Sequence, residues 1–237
     1  IEGVLREALL YMPNVMHPSV PRGRGEGDNV VRRSCGEPRR FDFTPRPHWE
    51  IAASLGILDA DRAVKIAGTR FVMTVGWGAL MERALANLML DQARARGYVE
   101  VNPPFMVSGD AMTGTGQLPK FAGDMYKVEG DDSYLIPTGE VPVTNIHRAE
   151  LLEAAALPKY YCSHTACFRR EAGAPGRDTR GMMRVHQFNK VELVKVVTPE
   201  SSYDELESLV RDAAHILELL ELPYRETVLC SADLGFG

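Results

Sequence analysis

Long apolar runs are missing from this chain. Nowhere do 18 apolar residues follow one another, which excludes a membrane-spanning helix. The first residues carry no basic leader with an apolar core behind it, so a secretory signal is not expected and the predicted compartment is the cytoplasm. Cysteine is scarce: Cys35, Cys162, Cys167 and Cys230 contain no CxxC pair. That spacing offers neither a disulfide framework nor a good zinc site, and free thiols in a reducing compartment are the simplest reading. Three signatures are also missing. Without a GxxxxGK[ST] loop or a GxGxxG fingerprint, a bound nucleotide would meet a sheet rather than a glycine loop at a helix terminus. Without HExxH, zinc-protease chemistry has no anchor, and His147, His164 and His186 have no Ser or Cys partner at a telling position.

A strong excess of one charge is lacking too, since the formal net charge is -5. Distribution matters more than the sum. Residues 22–46 hold seven Arg against four acidic residues, and residues 169–184 hold five against two. Each cluster reads either as a solvated surface or as a local phosphate-facing patch in an acidic protein. With 45% hydrophobic and 25% charged residues over 237 positions, the chain has the makings of one large folded domain.

Residues 1–48 are broken by prolines and glycines, with strand character only around Val30–Arg33. Helices are predicted over Trp49–Leu58, from Asp59, over Ala79–Arg96 with Gly97 as its stop, and over Val143–Ala156. The 79–96 helix is apolar on several faces, which asks for burial on several sides. A further helix follows Thr198-Pro199-Glu200, with Tyr203, Leu206, Leu209, Val210, Ala213, Ile216, Leu217 and Leu220 on one face. Strands are predicted at Phe71–Val75, Tyr98–Val101, Tyr160–Arg169, Arg184–Val197 and Arg225–Cys230, and a hairpin over Met125–Ile136 turns at Gly130-Asp131-Asp132. Long antiparallel pairs among helices give an α+β fold rather than a doubly wound one.

The segment 160–197 concentrates the chemistry. Arg184, His186, Phe188, Lys190 and Glu192 fall at period two and share one face of a strand. Arg169 and Glu171 do the same on the partner strand. Two readings stand: a floor for a planar, phosphate-bearing ligand, or a cross-strand Arg–Glu ladder that only stabilises the sheet.

Phe168-Arg169-Arg170-Glu171-Ala172-Gly173, Gly176-Arg177-Asp178-Thr179-Arg180-Gly181 and Arg184-Val185-His186-Gln187-Phe188 together resemble motif 2 of the class II aminoacyl-tRNA synthetases in its seryl, bacterial-type form. Thr115–Phe121, Ile136–Asn145, His17–Pro21 and Gly36–Phe43 are similar to seryl enzymes as well, so the likeness runs over essentially the whole chain. It implies a catalytic domain built as an antiparallel sheet flanked by helices. It also implies a homodimer joined through the helix and strand of residues 79–104, where motif 1 falls. Residues 1–12 would be the end of an N-terminal helical arm or linker, and 13–237 a catalytic domain stopping before motif 3, so this stretch alone is expected to be inactive.

The implied activity is ligation of L-serine to tRNA(Ser): serine is activated with ATP and Mg²⁺ to seryl-adenylate and then transferred to tRNA. By the same resemblance Arg169, Glu171 and Arg184 are the catalytic residues, and Arg169, Arg170, Glu171, Arg184, Val185 and Phe188 contact ATP. Thr138, Gly139, Glu140, Arg169 and Glu192 contact serine, Arg177 and Arg180 lean toward the tRNA acceptor end, and no resident metal site is implied. Two features depart from the family's usual pattern, Gly139 where Ala is common and Gly76-Trp77-Gly78 before the motif 1 helix. They leave room for two other readings, a pathway-specific paralogue and a synthetase-derived binding protein without turnover.

Overall fold

The computed structural model describes residues 2–172 and 180–235. In chain order the elements begin with α1 (Glu2–Leu9), β1 (Val30–Cys35), α2 (His48–Leu55), α3 (Ala60–Ala67) and α4 (Trp77–Ala95). The middle of the chain holds β2 (Val99–Glu100), β3 (Met106–Ser108), α5 (Gly109–Gly114), β4 (Tyr126–Lys127), β5 (Ser133–Leu135) and α6 (Glu140–Thr144). Last come β6 (Lys159–Phe168), β7 (Gln187–Val196), α7 (Ser202–Leu219) and β8 (Tyr224–Val228). The chain forms two compact units, Ile1–Asp42 with Glu207–Gly237, and Phe43–Leu206.

In the smaller unit β1 pairs antiparallel with β8, from Val30 opposite Val228 to Cys35 opposite Tyr224. Arg32 leaves this ladder to grip Glu207 with paired hydrogen bonds of 2.7 and 2.5 Å, and also contacts Glu226. A planar guanidinium suits such a forked contact.

In the larger unit β6 and β7 form an unbroken ten-residue antiparallel ladder, from Lys159 opposite Val196 to Phe168 opposite Gln187. Period-two alternation gives this ladder two jobs. Cys162 points to α4 and packs with Ala93 and Tyr98, where Leu90, Tyr160 and Leu193 close the cluster. Burial there raises the Cys162 thiol's proton affinity. Ser163 and Thr165, on the opposite side, lie under Gly139 at the start of α6. A second small sheet, ordered β3-β5-β4, is backed by Ala111, Met112, Met125, Tyr134 and Val141.

Local sequence explains the ends of the elements. Asp59 caps α3, accepting the Arg62 backbone N–H at 2.9 Å. Gly78 is needed by close approach, since a Cβ there would stand 2.3 Å from the Ile57 carbonyl oxygen. This accounts for Gly78 in Gly76-Trp77-Gly78, Gly76 being instead at a positive φ of 55°, and α4 starts at Trp77 rather than Ala79.

The antiparallel α+β architecture stands, with one short parallel neighbour, β2 beside β6. Several expectations are corrected. Val143–Ala156 is not one helix: α6 stops at Thr144, a 3₁₀ turn covers Asn145–His147, and Ala149 takes a positive φ of 61°. Side chains divert the backbone there. Asn145 Nδ2 donates to the carbonyls of Val141 (2.9 Å) and Ala111 (3.0 Å), while His147 engages Glu150 and Tyr161. Phe71–Val75 contributes only an isolated bridge, Thr74 with Leu58. The two long strands are shorter at their loop ends, so Arg169, Glu171, Arg184 and His186 lie outside the ladder. On α7, two residues of the expected apolar face, Tyr203 and Leu206, are exposed.

Candidate active site

Arg169 sits immediately past β6, and its backbone is fixed from both sides by His186. The Arg169 N–H donates to the His186 carbonyl, and His186 Nδ1 donates to the Arg169 carbonyl, both at 2.9 Å. The His186 N–H in turn donates to the carbonyl of Arg70, held at a positive φ of 61°. Arg169 Nε donates to the Pro137 carbonyl at 3.2 Å, and the guanidinium carbon lies 5.2 Å above the Phe188 ring. The side chain is therefore aimed before any ligand arrives.

Glu171 does not share a strand face with Arg169 by alternation. It adopts a positive φ of 51°, and Asp124 shapes this turn by accepting the N–H of Arg170 on its carbonyl (2.9 Å) and that of Ala172 on Oδ1 (2.8 Å). The turn nonetheless delivers the Glu171 carboxylate to the same wall as Arg169, where it pairs with Arg184 at 3.1 Å. The Arg–Glu pair and the ligand cavity thus coexist.

Thr138 is the hub of a second cluster. Its buried hydroxyl donates to Glu192 Oε2 at 2.7 Å and accepts from Lys190 Nζ at 2.6 Å and from the Glu140 N–H at 3.2 Å. One donor and two acceptor sites are all that a hydroxyl has, so it is fully used. Lys190 also forms an ion pair with Glu192. Desolvation, and then the negative charge of Glu192, push the Glu140 carboxyl above its ordinary range, with Lys190 opposing. A second cation entering this cluster would relieve that repulsion.

Two cavities share the wall formed by Arg169, Glu171 and Arg184. One, of about 460 Å³, adds Gln117, Phe121, Asp124, Met125, Pro137, Thr138, Glu140 and Lys190. The other, of about 400 Å³, adds Met182, Met183, Val185 and Phe188. The first is polar and mixed in charge, as a small zwitterion requires. The second offers an aromatic ring and apolar side chains to a flat base. The arginines between them suit phosphate.

Of the residues expected at the site, Arg169, Glu171, Arg184, Val185, Phe188, Thr138 and Glu140 line one or both cavities. Glu192 reaches the polar one through Thr138 and Lys190. Arg170 lines neither, Arg180 borders a different hollow with Trp49 and Phe71, and Arg177 lies outside the described residues. Lys190 had a signal in its period-two position. Asp124 had none, because its work is to hold a turn 48 residues away in sequence.

Gly139 lines no cavity but sets how closely α6 approaches the ladder. Its backbone is α-helical (φ -62°, ψ -19°), so an alanine is sterically allowed by the main chain. The added Cβ would meet Thr165 Oγ1 at 3.0 Å and both Ser163 Oγ and the Glu192 Cβ at 3.2 Å. Ser163 Oγ is buried without a hydrogen-bond partner among the described residues. Gly139→Ala (G139A) is therefore expected to displace Thr138 and Glu140 and to weaken binding in the polar cavity by about tenfold, the scale of mild overpacking. Ser163→Ala in the same protein removes one of the two crowding hydroxyls, leaving Thr165 Oγ1, and should restore part of the loss. Calorimetric titration of L-serine, the ligand that the family resemblance implies, checks both variants.

The profile of the tRNA synthetase class II core domain (G, H, P, S and T) matches residues 125–237. The chain is 60% identical over its whole length to a serine–tRNA ligase of Carboxydothermus hydrogenoformans, and 59% identical to one from Geobacillus sp. (strain WCH70). It spans 56% of the length of each. Among solved structures it is similar to seryl-tRNA synthetase from Pyrococcus horikoshii complexed with ATP, with a TM-score of 0.95 and 36% identity over 99% of this chain and 57% of that one. The cytoplasmic serine–tRNA ligase of Naegleria fowleri in complex with AMP matches with a TM-score of 0.93 and 30% identity, over 99% of this chain and 56% of that one.

Proposed function

We propose that this chain belongs to the seryl-tRNA synthetase family, as part of its class II catalytic domain, and that the whole protein ligates L-serine to tRNA(Ser) at the expense of ATP. The observation that carries the reading is the shared wall: Arg169, Glu171 and Arg184 stand between a polar, mixed-charge cavity and an aromatic one.

In the first step a serine carboxylate oxygen forms a bond to the α-phosphorus of ATP, and the bond to the β-phosphate bridging oxygen breaks. Pyrophosphate leaves, and seryl-adenylate remains. In the second, a terminal ribose hydroxyl of tRNA attacks the seryl carbonyl and AMP departs. Such displacement needs alignment and charge neutralisation more than proton transfer. Arg169 holds the α-phosphate, Arg184 faces the outer phosphates, Phe188 and Val185 receive adenine, and Glu171 lies beside them. Thr138, Glu140 and Glu192 hold the serine ammonium and hydroxyl, in a cluster whose raised Glu140 proton affinity favours an incoming cation. Arg180 and Arg177 are assigned to the tRNA acceptor end by the family resemblance, Arg177 lying outside the described residues.

Mg²⁺ would arrive with the ATP phosphates. Glu171 would offer it a carboxylate beside the phosphate-binding arginines. Dimerisation through residues 79–104 is supported by exposed Trp77, Leu80, Met81 and Val99 at the α4–β2 region, apolar surface that a second copy would cover. No helix among the described residues is long and apolar enough to cross a membrane, and a cytoplasmic location is part of the proposal.

Serine-dependent ATP–pyrophosphate exchange by the full-length protein tests the reading. Label is expected to return to ATP with serine and not with alanine, because buried groups meant for the hydroxyl would be left unpaired. ATP binding without exchange would leave a binding protein in place of the enzyme.

A further inference from the structure

His48 stands outside the cavities described above, in the first turn of α2, and 134 residues separate it from its partner. Its Nε2 accepts the backbone N–H of Met182 at 2.9 Å. The contact is closer still at the preceding residue. Gly181 has a φ of 75°, and a Cβ there would lie 2.0 Å from His48 Nε2 and 2.5 Å from Cε1. Only a glycine lets the main chain lie against the imidazole, so ring and backbone are fitted to each other. The ring is itself steadied by an edge contact with Trp49, at 5.1 Å between centroids and 78° between planes. Trp49 in turn borders, with Arg180 and Gly181, a hollow of about 500 Å³.

What this anchor holds is the approach to the nucleotide wall. Met182 lines the aromatic cavity with Phe188, and two residues later Arg184 reaches Glu171 at 3.1 Å. Residues 184–186 precede β7, so no ladder pairing fixes Arg184 directly. Its place is set downstream by the His186 N–H on the Arg70 carbonyl, and upstream by the Met182 N–H on His48.

We propose that His48 is a positioning residue for ATP: by accepting the Met182 N–H it fixes the Gly181–Arg184 segment and so sets Arg184 and the apolar wall against the nucleotide. This rests on the reading of that cavity as the ATP site. Thr138, Lys190 and Glu192, held by α6 and β7, have no share in the anchor.

The test uses the full-length protein with ATP binding followed by calorimetry, which needs no turnover, alongside exchange kinetics. His48→Ala (H48A) is expected to weaken ATP binding about tenfold, the loss of one positioning contact, with the serine KM within about twofold of wild type. His48→Gln (H48Q) keeps an acceptor at similar reach and should recover ATP affinity to within about threefold of wild type. Unchanged ATP affinity in His48→Ala overturns the proposal. So does an equal loss for serine and ATP, which marks general loosening, or a glutamine variant as impaired as the alanine. Wild-type protein that binds ATP but lacks exchange overturns the ligase reading alone, and the calorimetric comparison still decides the role of His48.

Discussion

Arg169→Ala (R169A) is expected to lower serine-dependent ATP–pyrophosphate exchange about a thousandfold or more, a loss of the size seen when a preorganised charge-stabilising donor is removed. Arg169 is the group on which the two cavities converge, and its guanidinium is aimed by Pro137 and Phe188 before ATP binds. In the proposed reaction charge would accumulate on the α-phosphate as the serine oxygen closes on phosphorus, and a fixed cation there would need no reorganisation at that moment. Folding should hardly suffer. Arg169 is exposed, and truncation loses one hydrogen bond and one cation–π contact, together about 1–2 kcal/mol. Its backbone bonds to His186 survive, since they do not involve the side chain. Arg169→Lys separates charge from shape: it keeps the cation but loses the planar fork, and should fall between wild type and alanine. Exchange at the wild-type rate in a folded Arg169→Ala protein would remove Arg169 from the chemistry.

The parts of this molecule that could be read in advance are those written in local periodicity. The β6–β7 ladder follows from alternation, the β4–β5 hairpin from Gly130-Asp131-Asp132, and α4 from an apolar stretch closed by Gly97. Legibility stopped where tertiary contacts outvote local preference. Val143–Ala156 has helical spacing, but the Asn145 amide is drawn to Ala111, 34 residues back, and the helix ends there. Glu171 shows another limit. Alternation placed it beside Arg169 on a strand face, and it does reach that wall, through a left-handed turn held by Asp124. His48 left no trace in any local pattern, because its meaning lies in a glycine 133 residues further on whose φ is positive. Resemblance to a family transfers the residues that touch ligands more readily than those that hold them in place.

Thr138→Val (T138V) should separate the two substrates cleanly. Valine matches threonine in size and branching, and the site is only 4% exposed, so the change deletes a hydroxyl and little else. That hydroxyl closes a circuit: it donates to Glu192 and accepts from Lys190 and from the Glu140 N–H. Without it, Lys190 and Glu192 keep their mutual ion pair but each loses a hydrogen bond in a half-buried setting, at about 1–3 kcal/mol for a charged group left short of a partner. Two such losses, partly offset by relaxation and water, correspond to a fall of about a hundredfold in kcat/KM for serine. The proposed nucleotide cavity with Phe188 does not include Thr138, Lys190 or Glu192, so the ATP dissociation constant should stay within about twofold of wild type. Glu192→Gln removes the charge but leaves an acceptor for the Thr138 hydroxyl, and should cost serine affinity without loosening α6. If Thr138→Val instead weakened ATP and serine alike, the polar cavity would not be a separate amino-acid subsite, and the division of labour across the Arg169 wall would have to be redrawn.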